Sequence, residues 1–349
     1  MQGPAHSGGT GCRTSTGLAV TTEAGPAIYV ENLRKVYGDK VAVESLSLQV
    51  EHGEVFGFLG PNGAGKTTTI KMLNGLVRPT AGRLSVLGRA LGDPEARRRI
   101  GFLPEQFRFH EWLRAAEFLD FHGSLYGLSR AERRERIPGA LHLVGLEGRA
   151  ESRLRTFSKG MLQRIGIAQA VIADPKLVFL DEPTSALDPL GRRDVRDIIR
   201  TLQSRGVTVF LNSHLLGEVE VVCDRVAIVT EGRVAAMGTT TELLSGDHVV
   251  EVDARNVSET LLAEIQRRYS VLETNALPAS ATRQTGSSLQ MMVNPVIADC
   301  RFSLSIADSA VPALVELLVR DGAAIHALVP RQRSLEDLFV EIVQIGGDR

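Results

Sequence analysis

A glycine-rich segment near residue 60 has the residue types and the spacing of a phosphate-binding loop. It follows the pattern G-x-x-x-x-G-K-[ST] and comprises Gly60, Pro61, Asn62, Gly63, Ala64, Gly65, Lys66 and Thr67, with Thr68 next in the chain. Glycines allow positive φ values and let several backbone N–H groups point at one anion. The lysine can then reach the β- and γ-phosphates, and the threonine hydroxyl can bind Mg²⁺. The segment therefore predicts a site for a nucleoside triphosphate.

Two adjacent carboxylates, Asp181 and Glu182, follow the apolar run Leu177–Leu180. A buried strand delivers such groups to the carboxyl edge of a sheet, where α/β folds bind their ligands. Successive residues there point in different directions, so Asp181 is predicted to hold Mg²⁺ through water and Glu182 to act as the base that polarises the attacking water. Taken alone, the pair is more typical of a solvated strand end. The nearby phosphate loop favours the catalytic interpretation.

Between these two segments, residues 157–164 read F-S-K-G-M-L-Q-R. This run resembles the LSGGQ signature of the nucleotide-binding subunits of ABC transporters, and the resemblance extends over roughly residues 27–246. Ser158 is a good N-cap for the helix that follows, and Gly160 permits close approach of a phosphate. The resemblance implies that both residues face the γ-phosphate bound by a second copy, so that two subunits enclose two ATP molecules.

The signature departs from the family pattern at two positions. Lys159 stands where glycine is usual, and Met161 stands where glutamine is usual. The S-K-G-M combination resembles a subgroup of bacterial exporter-type ATPases. The C-terminal run Ser334–Phe339 resembles a segment of ATPases that export drugs, lipids or glycans. Together they imply an exporter-type subunit.

The resemblance also assigns roles to residues that would be unremarkable singly. Tyr37 matches the aromatic residue that stacks on adenine, and Gln106 matches the Q-loop residue that touches Mg²⁺ or water and links to the membrane partner. Residues 185–188 match the D-loop, and His214 matches the switch histidine on the γ-phosphate. The implied catalytic residues are Glu182, His214, Lys66 and Gln106, and the implied metal ligands are Thr67, Gln106 and Asp181.

The elements that must position these residues follow from the apolar pattern. Val55–Leu59 reads as a buried strand that enters the phosphate loop, and a helix follows the loop. Further strand signals at 177–180, 207–211 and 226–229 are separated by helices, which predicts an α/β fold with a mainly parallel sheet. Charged helix formers dominate a segment that we assign to a helical subdomain at about 107–173.

Beyond residue 246 the pattern changes. It predicts the order β (249–253), α (258–268), β, β (301–306), α (310–320), β (324–329), which suits a small split βαβ domain, with a polar stretch near 278–288. A final helix is predicted from Ser334. Two apolar helix faces, one formed by Leu314, Leu317 and Leu318 and the other by Leu335, Leu338 and Phe339, are expected to fill this domain's own core. The alternative is that the final helix contacts a second subunit or the permease.

The predicted fold is thus an α/β P-loop NTPase, an ABC cassette with a helical subdomain, plus a small C-terminal α+β accessory domain. The predicted boundaries are a disordered leader at 1–26, the nucleotide-binding domain at 27–246 and an accessory or regulatory domain at 247–349. The resemblance implies ATP and Mg²⁺ as cofactors.

Composition limits the partners and the compartment. The 349 residues include 40 Lys plus Arg against 41 Asp plus Glu, a net charge of −1, which argues against a nucleic-acid partner. The three cysteines, Cys12, Cys223 and Cys300, lack metal-type spacing and suit reduced cytosolic thiols. No apolar run approaches the roughly 20 residues of a membrane helix. We therefore expect a cytoplasmic chain, and the resemblance implies a homodimer held at the inner face of the membrane by a separate permease.

Two other function classes compete with this interpretation. The first is a soluble ABC ATPase that acts on ribosomes or DNA, but such relatives usually carry two cassettes, coiled-coil insertions or zinc sites, and the sequence shows one cassette and no such site. The second is a P-loop kinase or GTPase, which has no use for the signature at 158–160 or for His214.

Overall fold

The structure, a computed structural model, describes residues 25–185, 187–244, 248–278 and 296–347. Its strands are β1 (Ile28–Tyr37), β2 (Lys40–Val50), β3 (Val55–Leu59), β4 (Ala81–Val86), β5 (Arg89–Ala90), β6 (Ile100–Leu103), β7 (Leu177–Asp181), β8 (Thr208–Asn212), β9 (Arg225–Thr230), β10 (Arg233–Thr239), β11 (His248–Ser258), β12 (Ser270–Pro278), β13 (Val296–Ile306) and β14 (Ala324–Arg331). Its helices are α1 (Lys66–Leu73), α2 (Pro94–Arg98), α3 (Ala115–Leu125), α4 (Arg130–Leu143), α5 (Lys159–Val171), α6 (Pro189–Ser204), α7 (Leu216–Val222), α8 (Thr240–Leu244), α9 (Glu259–Arg268), α10 (Val311–Arg320) and α11 (Leu335–Gly347).

The larger sheet has ten strands in the order β5-β4-β1-β2-β10-β9-β3-β8-β7-β6. The run β9-β3-β8-β7-β6 is parallel, whereas β1, β2, β4 and β5 pair antiparallel at the other side. Every position of β3, β7 and β8 is buried, because helices or strands cover both faces of a parallel sheet. The α/β fold predicted from the sequence is confirmed.

Alternate residues of the central strands pack into two different cores. Phe56, Phe179 and Phe210 lie on one face with α1 and the antiparallel strands, and the Phe179 and Phe210 rings are 5.4 Å apart. Val55, Val178 and Val209 lie on the other face with α5 and α6, as the two-residue period of a strand requires. Both cores hold the parallel strands in register, so their carboxyl ends stay at one edge.

The helical segment consists of α3, α4 and α5, which contact one another and connect β6 with β7. Ser129 begins α4 with a capping box, in which it and Glu132 satisfy each other's backbone N–H. Phe118 and Ile165 are fully buried between these helices and the sheet. This agrees with the helical content predicted at about 107–173, whose bounds stay a prediction.

The C-terminal part forms a second, four-stranded antiparallel sheet in the order β12-β13-β11-β14. Its helices α9 and α10 supply Leu261, Leu314, Leu317 and Leu318 to a core against β11 and β13. The predicted order of strands and helices is present, with longer strands. Residues 279–288 of the predicted polar stretch and residues 1–24 of the predicted leader lie outside the described residues.

The final helix does not pack where the sequence placed it. Leu335 and Leu338 are buried in the core of the larger part of the chain, with Phe339 packed beside them. Helix α11 contacts α7, α8 and β9 of the larger part and also β12 of the accessory sheet, whereas α9 and α10 supply the helical residues of the accessory core. The expectation that the apolar face formed by Leu335, Leu338 and Phe339 fills the accessory domain's own core is therefore wrong. Among the described residues, no helix is both long and apolar enough to cross a membrane.

Candidate functional site

The phosphate-binding loop connects the end of β3 to the start of α1. Gly63 and Gly65 have φ values of 86° and 95°, in the region that favours glycine. A Cβ at Gly60 would lie 2.3 Å from the Val229 carbonyl oxygen, and one at Gly65 would lie 2.4 Å from the Ala42 carbonyl oxygen. Packing therefore requires glycine at positions 60 and 65. A Cβ at Gly63 would meet no atom of the described residues within 4 Å, so this glycine faces open space in that part of the chain.

The loop presents donors to that open space. Helix α1 has Gly65 as its N-cap and no side-chain cap, so the N–H groups of its first turn, which includes Thr67 and Thr68, are left for an anion. Ala64 is buried and donates its N–H to the Pro61 carbonyl at 3.2 Å, which fixes the loop. Asn62 is exposed at the loop tip. The structure thus has the strand–loop–helix arrangement that the motif requires.

Lys66 lies folded over this loop. Its Nζ donates to the carbonyl oxygens of Gly60 and Pro61 at 2.6 and 3.1 Å. Burial lowers the pKa of Lys66, and the neighbouring carboxylates, Glu182 first, oppose that change. The ammonium therefore stands between the loop and the carboxylates, where its charge can meet a phosphate.

Asp181 and Asn212 are the last residues of the neighbouring parallel strands β7 and β8 and are partners in their register. The Asn212 Nδ2 donates to Asp181 Oδ1 at 2.5 Å. Burial raises the pKa of Asp181, while the hydrogen bonds from Asn212 and from the Glu105 backbone oppose the rise. Asn212 Oδ1 is itself buried without a partner among the described residues. The carboxylate of Asp181 is thus held in one orientation.

The three predicted metal ligands surround one cavity of about 400 Å³ beside α1. Its lining comprises Thr67, Ile70, Lys71, Leu76, Phe102, Pro104, Glu105, Gln106 and Asp181. Oxygen donors from a hydroxyl, an amide and a carboxylate are the ligands that Mg²⁺ prefers. The residues present therefore fit a bound Mg²⁺ at this position.

Glu182 follows Asp181 and turns toward His214. The Glu182 Oε2 lies 2.7 Å from His214 Nδ1, and Glu182 has a positive φ of 55°, a conformation that occurs at functional sites under strain. Its side chain is 9% exposed against 61% for that of His214. Burial raises the pKa of Glu182, and His214 lowers it through charge and hydrogen bonding. A carboxylate with a raised pKa at a sheet edge suits a general base.

The signature residues stand apart from this cluster. Ser158 caps α5 by accepting the Met161 N–H at 3.2 Å, and both Ser158 and Lys159 are exposed. Among the described residues, a Cβ at Gly160 would meet only Leu187, at an ordinary 3.8 Å, so their packing does not require this glycine. Among the described residues, no hydrogen bond or ion pair joins Ser158 or Gly160 to the phosphate loop. Within the described part of one copy, the signature residues therefore do not reach the phosphate loop.

Tyr37 lies at the end of β1, on the antiparallel side of the sheet, and is 46% exposed. The Lys35 ammonium lies 4.7 Å from its ring centroid, a cation–π contact. The ring is available for stacking, and its assignment to adenine stays a prediction. In the segment predicted to be the D-loop, of which Ala186 lies outside the described residues, the Ser185 Oγ donates to the Glu182 carbonyl oxygen at 3.0 Å, which ties this segment to Glu182.

Two residues of the site were missed from the sequence. Asn212 orients Asp181. Glu105 lines the cavity, and its negative charge opposes the lowering of the pKa of Lys66 by burial. Asn212 carried a usable signal, because it is a polar residue directly after an apolar strand and two positions before His214. Glu105 had no signal beyond its place beside Gln106.

Comparison with known proteins identifies the family. The model of the ABC transporter family matches residues 43–185. An uncharacterised ABC transporter ATP-binding protein of Synechocystis is 48% identical over 225 residues, which is 64% of each of the two chains. An uncharacterised ABC transporter ATP-binding protein of Bacillus subtilis is 37% identical over 90% of this chain and 98% of its own length. The Nod factor export ATP-binding protein I of Cupriavidus metallidurans is 40% identical over 64% of this chain and 76% of its own length.

Solved structures agree with the sequence comparison. The ATP-binding subunit of an ABC transporter is 35% identical with a TM-score of 0.57, and the match covers 62% of this chain and 91% of that one. A dimeric ATP-binding cassette in a post-hydrolysis state, bound to ADP and Pi, is 26% identical with a TM-score of 0.56 over 61% of this chain and 98% of that one. The chain therefore belongs to the ABC transporter family, among its ATP-hydrolysing, ATP-binding proteins.

Proposed function

We propose that this protein is the ATPase subunit of an exporter, which dimerises around two MgATP molecules and drives a separate membrane permease. The observation that carries the proposal is the pair Glu182–His214, 2.7 Å apart at the carboxyl end of β7 and beside the phosphate loop. A buried carboxylate with a raised pKa, held by an exposed histidine, is the arrangement that a hydrolytic base requires.

The chemistry divides among the residues of this cluster. Lys66 and the loop N–H groups bind the β- and γ-phosphates, and Glu182 accepts a proton from the water that attacks the γ-phosphorus. His214 orients Glu182 and lies at the exposed side, where it can donate to a phosphate oxygen. Bound Mg²⁺ would neutralise phosphate charge, and Thr67, Asp181 and Gln106 would hold it.

The dimer is proposed because one copy leaves the signature unused. Ser158 and Gly160 present an exposed helix N-terminus that packing inside the chain does not explain. A helix N-terminus favours an anion, so the γ-phosphate of a second copy is a suitable ligand. A similar cassette is described as a dimer with ADP and Pi, which supports a homodimer here.

The permease is proposed from the surface of the helical segment and from the relatives. Trp112 and Leu125 are each 68% exposed and Phe121 is 43% exposed, and Trp112 and Phe121 both contact His110. Exposed aromatic groups of this kind mark protein–protein contact sites. One relative is named as an export protein, which favours export and a location at the inner face of the membrane. The ribosome or DNA alternative has no comparable support.

The roles of Glu182 and of the dimer are tested together. Glu182→Gln removes the base and keeps the shape, so we expect turnover to fall by about 10²- to 10⁴-fold while ATP binding persists. The variant should accumulate as an ATP-bound dimer in gel filtration with ATP and Mg²⁺. Glu135→Gln, an exposed site on α4, is the matched control and should behave as wild type. A Glu182→Gln protein that stays monomeric with ATP, or that turns over near normally, would contradict the assignment.

A further inference from the structure

Helix α7 carries the site histidine on its N-terminal side. His214 precedes Leu215, and α7 begins at Leu216. The Leu215 N–H donates to Ser213 Oγ at 3.1 Å, and the Leu215 carbonyl accepts the Glu218 N–H at 3.0 Å. This tight turn links the end of β8 to the helix. Any displacement of α7 therefore moves the backbone of His214.

The ring of His214 has few constraints of its own. It is 61% exposed, and its hydrogen bond among the described residues is the one to Glu182. A side chain held by one contact takes its orientation from the backbone that carries it. The position of α7 thus decides how well the His214 ring meets Glu182.

Helix α7 is held from two sides. Val219 and Val222 are buried in the core, and Arg196 of α6 lies 3.1 Å from Glu218. On the other side the Glu220 Oε2 accepts the Leu335 N–H of α11 at 2.9 Å. This second contact joins the site to the C-terminal part of the chain.

Glu220 completes the cap of α11. Leu335 is the first residue of that helix, and first-turn N–H groups have no partner inside a helix. Ser334 and Asp337 cap each other through bonds of 2.8 and 3.3 Å, but the Leu335 N–H is taken by Glu220. A carboxylate at a helix N-terminus is favoured by the helix dipole.

The contacts continue from that cap into the accessory sheet. Asp337 accepts two hydrogen bonds from Arg331, at 2.5 and 2.7 Å. Arg331 ends β14 and also donates to Glu251 of β11 at 2.8 Å. The ion pairs of Arg331 with Glu251 and Asp337 therefore join the accessory sheet to the first turn of α11, and the Leu335 N–H of that turn reaches Glu220.

We propose that Glu220 is a positioning residue for ATP hydrolysis, through which α11 and the accessory domain set the alignment of His214 with Glu182. The inference rests on the proposed roles of His214 and Glu182. It assigns the accessory domain a regulatory function: a partner that moves α11 changes turnover without touching the nucleotide.

The first test compares Glu220→Ala with Glu336→Ala in the full chain. Glu336 is an exposed acidic residue in the same first turn of α11, so its loss controls for the helix dipole. We expect Glu220→Ala to lower kcat by about 3- to 30-fold, as residues that modulate coupling do. KM for ATP should stay unchanged, since the phosphate loop is untouched. Glu220→Gln keeps an acceptor oxygen and should recover most of the activity, and Glu336→Ala should match wild type.

The second test separates positioning from general destabilisation. Glu220→Ala is combined with His214→Ala, and kcat of the double variant is compared with that of His214→Ala. We expect no further loss, because the residue that Glu220 positions is already gone. Equal losses in both backgrounds, or a Glu220→Ala protein with wild-type kcat, would overturn the proposal. An unchanged kcat in His214→Ala alone would overturn the role of His214 itself, and with it this inference.

Discussion

Asp181 and Asn212 end neighbouring parallel strands, and the Asn212 amide donates to the Asp181 carboxylate at 2.5 Å. The amide points one carboxylate oxygen in a fixed direction, and the cavity with Thr67 and Gln106 lies beside it. Outer residues that orient a metal ligand commonly matter nearly as much as the ligand itself. Asn212 is therefore part of the proposed Mg²⁺ site although it need not touch the metal.

Replacing Asn212 with Ala should weaken the binding of Mg²⁺, because the Asp181 carboxylate loses the amide that orients it. We expect the Mg²⁺ concentration for half-maximal ATPase activity to rise, or activity to fall, by about 10- to 100-fold. A titration of activity with Mg²⁺ measures this. Asn74→Ala is the control, because the Asn74 amide donates to the Ile70 carbonyl at 2.9 Å and lies at the far end of α1. The control should lower Tm and leave the Mg²⁺ titration unchanged; a normal titration for Asn212→Ala would contradict the role.

A Ser158→Arg substitution should abolish hydrolysis while ATP still binds, because charge and bulk block the approach of a second copy. Ser129→Arg is a matched control, since Ser129 also caps a helix and its loss costs about 1 kcal/mol of stability as well. Only the Ser158 variant should lose turnover. Mixing Ser158→Arg with Lys66→Ala should restore at most one composite site per heterodimer. Full activity of a Ser158→Arg homodimer would exclude completion of the site by a second copy.

The pH dependence of turnover should report the environment of Glu182. Burial raises its pKa above the ordinary value of 4.5, and a base acts only when deprotonated, so kcat should fall as the pH drops through the raised pKa. His214 lowers that pKa by charge and hydrogen bonding. The acid limb of the residual activity of His214→Ala should therefore lie at a higher pH than the acid limb of the wild type. An acid limb at the same pH in both proteins would show that the 2.7 Å contact does not act on Glu182 in solution.

A fragment that ends near residue 246 should bind ATP with reduced stability. Every proposed phosphate contact precedes it, but removal of α11 takes Leu335 and Leu338 out of the core that also holds Val219 and Val222 of α7, which α11 contacts. We expect a lower Tm and a tendency to aggregate, while nucleotide affinity by fluorescence titration stays close to that of the full chain.

A full-length Leu338→Ala variant provides the comparison, with an expected loss of about 2–5 kcal/mol for truncating a buried leucine. Leu314→Ala, in the accessory core, should leave the contact between α11 and α7 intact. If the fragment is folded yet loses ATP affinity, the proposed binding residues are incomplete. If it is as stable as the full chain, α11 does not support the larger core in solution.

Much of the site was accessible from the sequence because its chemistry is carried by contiguous segments. The loop Gly60–Thr67 needs glycines at fixed offsets, and these can be recognised in the sequence. The strands around the loop are predicted from their runs of apolar residues. Asp181 and Glu182 were found because a buried strand must end where its charges can meet solvent or ligand. The order of elements beyond residue 246 followed from the same periodicity.

Relationships across the chain were decided by tertiary structure. The pairing of Asp181 with Asn212 depends on the register of β7 with β8, which no local pattern specifies. The sequence predicted an apolar face on α11, formed by Leu335, Leu338 and Phe339. The hydrophobic effect is non-directional, so the sequence could not specify which of the two cores this face would join. Only the folded chain placed Leu335 against α7, and with it Glu220 between the accessory domain and His214.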